Sequence, residues 1–273
     1  MTLKWYFIKF PSATRIRHPH SKDVGDLRVA RVLCVANQKG GVGKTTTATN
    51  LAYGIALSGR RTLLVDLDPQ CNATSGMGVT PLDRHPLVSE RALQESVNIL
   101  NPPDLSLLPG SRSFRDIEIL AGPEQAQASR LRAHLAGDIQ DFEYVFIDCP
   151  PSLGQLTRTA LSASNEVVMP IQCEYFAMEG LTQMIQVIRE VMKGSETHLE
   201  FGGIVLTMYD ESLELTQEVE AEVRDFFGEI VFNTVIPRDV AVAEAPSYGR
   251  SVLEYAPRSR GAWAYTELCL EVM

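Results

Sequence analysis

The chain has 273 residues, of which 45% are hydrophobic, and a formal net charge of −9. This length fits one large α/β domain or two small ones, and the apolar content is enough for a substantial core. No apolar run approaches the roughly 20 residues that a bilayer-spanning helix needs. No small-residue cleavage site follows the opening segment MTLKWYFIKF, so we expect no secretory signal. Five scattered cysteines without a C-x-x-C pair predict reduced thiols in a cytosolic protein.

Charge is distributed unevenly along the chain. Residues 1–28 hold six Lys and Arg against two Asp, a net of +4, which leaves 19 basic and 32 acidic residues, a net of −13, for the rest. Because residues 1–28 lack periodicity, we expect a disordered basic arm before a single domain over 29–273. An arm that contacts an anionic surface is the alternative. An acidic body does not favour nucleic-acid binding, so any DNA contact would need a local basic patch.

From Arg31 onward, short apolar runs alternate with helical patterns. The runs typical of buried strands cover 31–37, 61–68, 144–150, 166–172 and 202–210. The helical patterns cover 45–59, 180–194 and 215–229. Strands that are apolar on both faces are typical of a parallel sheet covered by helices. We therefore predict a doubly wound, mostly parallel α/β sheet flanked by helices, with right-handed crossovers.

The segment NQKGGVGKTTT, residues 37–47, lies between the first predicted strand and the first predicted helix. Its glycines let successive backbone N–H groups point at phosphate oxygens, and the helix N-terminus adds a positive end. Lys44 is placed to reach the β- and γ-phosphates, and the Thr45 hydroxyl to bind Mg²⁺. We therefore predict a P-loop for ATP and Mg²⁺. Its predicted nucleotide-binding residues are Lys39, Gly40, Gly41, Val42, Gly43, Lys44, Thr45 and Thr46.

A second lysine in this loop carries a family resemblance. The stretch KGGVGKT, residues 39–45, resembles the deviant Walker A motif of the ParA/MinD ATPases. The longer stretch NQKGGVGKTTTATNLA resembles the ParA/Soj branch, the chromosome and plasmid partition ATPases. Matching segments follow in order as far as the chain's end: LLVDLDPQCNATSGMGV, FIDCPPSLG, QCEYFAMEGL, VIPRDVAVAEAPSYG and PRSRGAWAY. The resemblance covers about residues 31–273.

This resemblance implies an ATP-sandwich homodimer. The signature lysine, Lys39 here, would cross to the phosphates bound by the other subunit, where an extra ammonium offsets the repulsion between facing nucleotides. Lys39, Lys44 and Asp68 are the catalytic residues that the resemblance implies. It also implies a ParB-like partner that stimulates hydrolysis, and non-specific DNA binding by the ATP dimer. The lack of a long apolar run predicts no stable membrane insertion. The expected location is a bacterial-type cytosol, with association with the nucleoid.

Three acidic residues follow predicted strands, at the sheet edge where α/β proteins bind ligands. Asp66 and Asp68 end the run LLVDLD, in which residues i and i+2 point the same way. By resemblance, Asp68 positions the attacking water and Asp66 lies nearer Mg²⁺. Asp148 follows the run YVFI in a Walker B arrangement and can hold Mg²⁺ through a bound water. The predicted metal residues are therefore Thr45, Asp66 and Asp148, with CPPSLG behind Asp148 as a switch loop.

The C-terminal half departs from the family pattern. By resemblance, Met208, Pro237 and Arg238 lie near the adenine. Ser212 and Ala241 stand where the family's DNA-binding arginines are expected, and residues 210–229 hold eight acids and one base. Losing two phosphate contacts weakens non-specific affinity. The alternative is therefore a ParA-like positioning or regulatory ATPase that uses a protein or membrane surface as its track.

Three other classes of protein share parts of this pattern. A MinD-like membrane ATPase needs a basic amphipathic C-terminal helix, but the tail GAWAYTELCLEVM has no Lys or Arg. A reductase like the nitrogenase iron protein needs cysteines at the dimer interface, for which Cys149 and Cys173 are the candidates. A non-catalytic nucleotide-gated scaffold would bind ATP without hydrolysing it.

Overall fold

The computed structural model describes residues 30–86, 92–113, 133, 137, 139, 141–174, 177–194 and 199–273. The predicted basic arm, residues 1–28, lies outside the described residues, and so does much of the stretch between 113 and 141. The single-domain boundary at residue 29 therefore stays a prediction.

The strands and helices alternate along the chain. The strands are β1 (Arg31–Val35), β2 (Thr62–Asp66), β3 (Asn98–Ile99), β4 (Leu105–Leu108), β5 (Tyr144–Asp148), β6 (Glu166–Gln172), β7 (Glu200–Tyr209) and β8 (Val231–Pro237). The helices are α1 (Lys44–Leu57), α2 (Asn72–Gly76), α3 (Gln155–Ala163), α4 (Ala177–Gly194), α5 (Glu214–Phe227), α6 (Val240–Glu244), α7 (Val252–Tyr255) and α8 (Arg260–Val272). Short 3₁₀ turns cover Leu93–Ser96, Gly228–Ile230 and Ala245–Tyr248.

One sheet of the described residues contains all eight strands, in the order β3-β4-β2-β5-β1-β6-β7-β8. Every pair is parallel except β3 with β4, which is antiparallel. The strands β2 to β5 lie on one side of β1, and the later strands β6 to β8 lie on its other side. This change of side opens a crevice at the carboxyl ends of the strands. The predicted doubly wound, mostly parallel sheet is confirmed.

Helices cover both faces of the sheet because its central strands are apolar on both faces. Val32 and Cys34 of β1 pack in one core cluster with α3, α4 and α5. Leu33 and Val35 pack in a second cluster with α1 and α8. This alternation is the pattern that a strand buried between two helical layers requires.

Three central strands end two residues earlier than their apolar runs predict, whereas β6 has the predicted bounds. β1 ends at Val35, β2 at Asp66 and β5 at Asp148, so the residues after them turn away into loops. Val35 lies opposite Asp148, and Asp148 lies opposite Asp66, in the register of the three neighbouring strands. The sheet therefore brings the start of the phosphate loop and two carboxylates to one edge.

Candidate nucleotide-binding site

The glycine-rich loop adopts a backbone that ordinary residues disfavour. Gly41 has φ 75° and Gly43 has φ 85°, both in the left-handed region. Gly43 is the residue before α1, and its carbonyl accepts a 2.8 Å bond from the Thr47 N–H. Because Gly43 has no side chain to cap the helix, the first N–H groups of α1 stay available for an anion.

Two side chains fasten this loop to neighbouring strands. The Thr207 hydroxyl on β7 lies 2.9 Å from the Val42 carbonyl oxygen and 3.0 Å from that of Ile171, and it donates to this pair. Asn37 donates from Nδ2 to the Pro170 carbonyl at 2.7 Å. These bonds fix the position of the loop relative to β6 and β7. The sequence motif contains Asn37, but it gives no signal for Thr207, whose role depends on which strand lies beside β6.

The Lys44 side chain folds back into the loop. Its Nζ donates a 2.8 Å hydrogen bond to the Lys39 carbonyl oxygen, and the residue is only 7% exposed. Burial lowers the pKa of Lys44, and the charges of Asp148, Cys149 and Asp68 oppose that effect. A buried ammonium with one hydrogen bond has capacity for further acceptors, as phosphate oxygens in the loop would supply.

Lys39 has a different environment from Lys44. Its Nζ donates a 2.5 Å bond to Glu174 Oε2, in a pair whose side chains are 36% and 47% exposed. Glu174 lies just after β6, outside the phosphate loop. The signature lysine is thus held at the surface by a pair that solvent weakens, and it can leave that pair at low cost.

Asp148 is the most unusual polar side chain of the site. It is fully buried, and neither carboxylate oxygen has a hydrogen-bond partner among the described residues. Burial raises its pKa well above the usual range and the charge of Asp66 adds to this, while the Thr45 hydroxyl and the Lys44 charge oppose it. A buried carboxylate without partners is costly unless a cation compensates it. Asp148 and Thr45 therefore fit a divalent cation of the kind that the motif implies.

Asp66 differs from Asp148 because its oxygens are fully engaged. Oδ2 accepts bonds from the Thr74 N–H at 2.9 Å and the Thr74 hydroxyl at 2.6 Å, and Oδ1 accepts from the Asp68 N–H at 3.1 Å. Burial raises its pKa to about 6, although the Thr74 bonds oppose the rise. These bonds connect β2 to α2 and thereby stabilise the fold. The metal role of Asp66 stays a prediction, with weaker geometric support than that of Asp148.

Asp68 lies two residues beyond the end of β2, so it shares the site edge with Asp66 without sharing its strand. It is buried, and its Oδ1 accepts a 2.8 Å bond from the Gln70 N–H. This bond forms the turn that leads into α2. The predicted role of Asp68 in positioning water is compatible with this placement and stays a prediction.

The residues predicted near the adenine converge at the ends of β7 and β8. Tyr209 lies opposite Pro237, and the Arg238 N–H donates to the Tyr209 carbonyl at 2.9 Å. Pro237 and Arg238 line a cavity of about 650 Å³, which Met208 adjoins without lining. Met208 has φ 51°, an unusual left-handed conformation for a non-glycine residue, which is typical of functional sites.

Exposed arginines surround the same cavity. Arg238, Arg258 and Arg260 are exposed, and none forms an ion pair with another described residue. Acidic residues lie among them: Asp210, Glu211 and Glu267 also line the cavity. Hydrogen bonds from Ser212 lower the pKa of Asp210, and the charges of Arg238 and Arg260 add to this. Ser212 lines this cavity, whereas Ala241 lies on α6.

Two alternatives from the sequence lose support in the structure. All five cysteines are buried, including Cys149 and Cys173, which an interfacial iron–sulfur cluster would need at the surface. In α8, Ala262, Tyr265 and Leu268 pack in the core, so this apolar face is not available to a membrane. Within the described ranges, no helix is both long and apolar enough to cross a bilayer.

Comparison with known proteins gives consistent matches. A family model described as an AAA domain matches residues 30–201. The sporulation initiation inhibitor protein Soj of Bacillus subtilis is 43% identical over 249 residues, which is 89% of this chain and 98% of that protein. The chromosome-partitioning ATPase Soj of Thermus thermophilus is 46% identical over 246 residues, covering 89% of this chain and 95% of that protein.

A solved structure has a similar fold at lower sequence identity. Cobyrinic acid a,c-diamide synthase from Mycobacterium smegmatis, with bound ADP and magnesium, superposes with a TM-score of 0.75 at 32% identity. The match covers 88% of this chain and 93% of that one. The fold described above is therefore one on which a neighbour holds a nucleotide and magnesium.

Proposed function

Since this chain belongs to the ParA/Soj family of P-loop ATPases, we propose that it is a dimerising ATP switch. It hydrolyses ATP to ADP and phosphate in a bacterial-type cytosol, and it drives chromosome or plasmid partition or the positioning of another cargo. The observation that carries this proposal is the phosphate loop with left-handed Gly41 and Gly43 beside the buried Asp148, whose carboxylate oxygens have no hydrogen-bond partner among the described residues.

In this proposal, the loop backbone and Lys44 bind the phosphates of ATP. The backbone N–H groups of residues 40–46 bind the phosphates, and the helix N-terminus favours their negative charge. Lys44 exchanges the Lys39 carbonyl for phosphate oxygens. Thr45 and Asp148 are the residues that would hold Mg²⁺, which would supply positive charge to offset the phosphates. A cation held there would favour the ionised form of Asp148, which burial disfavours.

Hydrolysis depends on positioning more than on a strong base. Asp68 orients the attacking water, and the lysines stabilise charge on the transferring phosphoryl group. Lys39 leaves Glu174 and reaches the phosphates of the partner subunit, so each active site is complete only in the dimer. Turnover is consequently slow, as expected for a switch.

DNA is the proposed track, and the arginine-lined cavity is its proposed contact. Arg238, Arg258 and Arg260 provide exposed cations, and Trp263, 64% exposed on the same rim, adds an aromatic surface. The acids beside them, together with the absence of arginine at 212 and 241, predict weaker affinity than two further phosphate contacts would give. The same acidic surface favours the second candidate, an ATPase whose track is a protein or a membrane surface.

A ParB-like activator fits the acidic face of α5. The exposed side of this helix carries Glu214, Glu218, Glu222 and Asp225. A basic peptide from the partner would be steered toward this face by opposite potentials. In this proposal the partner stimulates hydrolysis and thereby releases the dimer from its track.

The test of the track is binding to random-sequence duplex DNA. Asp68→Ala protein, which should retain ATP, is mixed with DNA at low and moderate salt with Mg²⁺-ATP, Mg²⁺-ADP or no nucleotide. We expect binding with ATP alone, weakening steeply with salt, and loss of binding in a combined Arg258→Ala and Arg260→Ala variant. Arg60→Ala, which removes an exposed arginine paired with Glu143, is the matched control. DNA binding that is equal without nucleotide, or absent with ATP, would rule out DNA as the track. The second candidate, an ATPase whose track is a protein or a membrane surface, would then remain.

A further inference from the structure

Two buried thiols meet next to the phosphate loop, and the mechanism above uses neither of them. Cys34 lies on β1, three residues before Asn37, and Cys149 directly follows Asp148 at the end of β5. Their Sγ atoms are 3.2 Å apart, and both residues are fully buried. The thiol of Cys269 contrasts with this pair, since it contacts the carbonyls of Asn50 and Leu51 at 3.9 and 3.8 Å.

The sheet places the two thiols on one face of neighbouring strands. Cys34 lies opposite Ile147 in the β1–β5 register, and Cys149 is two residues further along, on the same side as Ile147. All three residues belong to the same core cluster. A disulfide needs an S–S distance of about 2.05 Å, so these sulfur atoms would have to approach by roughly 1 Å. Because both side chains are packed in the core, closing that gap also draws the two strand ends together.

We propose that Cys34 and Cys149 form a redox modification site that inactivates the nucleotide site when a peroxide oxidises it. Hydrogen peroxide first converts one thiol to a sulfenic acid and releases one water. The other sulfur then attacks the sulfenic sulfur, so that the S–S bond forms, the S–O bond breaks and a second water leaves. Two thiols thus lose two electrons and two protons to one peroxide, and an external dithiol reverses the change.

The resting pair is protected, so oxidation is slow. Both thiols are fully buried, and buried thiols react little while the fold is closed. Peroxide gains access when the strand ends and residues 150–154 open locally. The second step then follows readily, because the partner sulfur is already in contact and the reaction is intramolecular.

The consequence falls on the catalytic geometry. Drawing Cys34 toward Cys149 moves the end of β1, from which the phosphate loop begins, relative to Asp148 on the adjoining strand. Close-packed interiors transmit such a shift, and a misplacement of about 1 Å can cost on the order of 100-fold in rate. The oxidised protein should therefore bind and hydrolyse ATP at least about tenfold less well.

The experiment treats the full-length protein with hydrogen peroxide and follows three readouts. They are non-reducing peptide mapping, binding of a fluorescent ATP analogue, and ATP hydrolysis before and after dithiothreitol. We expect a Cys34–Cys149 linked peptide that has lost two hydrogens, with binding and hydrolysis falling at least about tenfold and recovering on reduction. Cys34→Val, which keeps a residue suited to a strand, should resist inactivation, whereas Cys269→Ala should remain sensitive.

Two results would overturn this inference. One is the absence of the linked peptide after peroxide treatment that oxidises other residues of the wild-type chain. The other is equal inactivation of Cys34→Val and the wild type, since the cause would then lie elsewhere. The peptide map does not depend on ATP hydrolysis, so it also separates a failure of this inference from a failure of the proposed ATPase function.

Discussion

The phosphate-loop region and the arginine-lined edge of the same sheet place their functional groups in opposite environments. Lys44 and Asp148 are 7% and 0% exposed and lie within a bonded framework of loop and strand ends. Arg258 and Arg260 are exposed and carry no ion pair with another described residue. A buried group must fit its packed neighbours, so few residue types are suitable at such a position. The exposed position 212 is free of packing demands, so a charge can be added there without affecting the fold, whereas Ala241 is partly buried and packs against the core cluster of α1 and α8.

The sharpest test of the buried region is removal of Lys44. Lys44→Ala removes the ammonium that the loop holds for phosphate, so we expect ATP hydrolysis to fall by about 10²- to 10³-fold or more. Steady-state phosphate release measures this. Lys193→Ala, which removes an exposed lysine at the end of α4, should leave the rate unchanged. Hydrolysis that survives in Lys44→Ala would mean that this loop is not the catalytic site.

A second test uses the difference between function and stability at Asp148. Asp148→Asn removes a buried carboxyl group whose raised pKa costs stability at neutral pH, and it keeps the side-chain shape. We expect hydrolysis to fall about 100-fold, while the nucleotide-free protein gains about 1–2 kcal/mol in its free energy of unfolding. Phosphate release measures the first effect and urea denaturation of the protein without nucleotide measures the second, with the exposed Asp225→Asn as control for both. A loss of stability in the nucleotide-free protein would show that Asp148 serves the fold instead.

The exposed edge can be tested by adding charge. Ser212→Arg combined with Ala241→Arg introduces two cations where phosphate contacts are missing. We expect DNA affinity to rise about tenfold at moderate salt, and the salt dependence to steepen by about two counterions. Fluorescence anisotropy across a salt series measures this. Ser212→Gln with Ala241→Gln controls for size, and a similar gain in that variant would rule out a charge effect.

The smallest expected effect concerns the exposed ion pair between Lys39 and Glu174. Glu174→Gln weakens the hold on Lys39, and an exposed pair of this kind contributes less than about 1 kcal/mol. ATP-dependent dimerisation should therefore strengthen by at most about fivefold, measured as a shift in the protein concentration at half-dimerisation. Glu190→Gln, which breaks the exposed pair with Arg158, should cause no shift. A weakened dimer in Glu174→Gln would mean that Glu174 helps to assemble the interface.

The sequence predicts the sheet and the phosphate loop well because both leave strong local signals. Runs apolar on both faces required a covered parallel sheet, and the glycines at 41 and 43 sit where the backbone is left-handed. The ends of β2 and β5 were predicted two residues too late, since Leu67 and Cys149 are buried although they lie outside strands. Apolar pattern alone cannot separate a buried strand from a buried loop.

Other features depend on contacts between distant parts of the chain. Thr207 bonds to Val42, 165 residues away, and the Asp66–Thr74 bonds that engage one carboxylate arise only when α2 folds back on β2. Their spacing in the sequence predicts similar environments for Asp66 and Asp68. In the structure the two carboxylates differ in their hydrogen bonds. The contact between Cys34 and Cys149 likewise requires the register of β1 with β5, which no local motif encodes.

Sedimentation velocity of the Asp68→Ala protein tests the central claim, an ATP-driven dimer, most directly. The same sample is measured with Mg²⁺-ATP, Mg²⁺-ADP and no nucleotide, and a Lys39→Ala version is run alongside. We expect a dimer with ATP, a monomer in the other two states, and no ATP dimer once Lys39 is removed. A protein that is saturated with ATP and remains a monomer would show that ATP does not drive dimerisation.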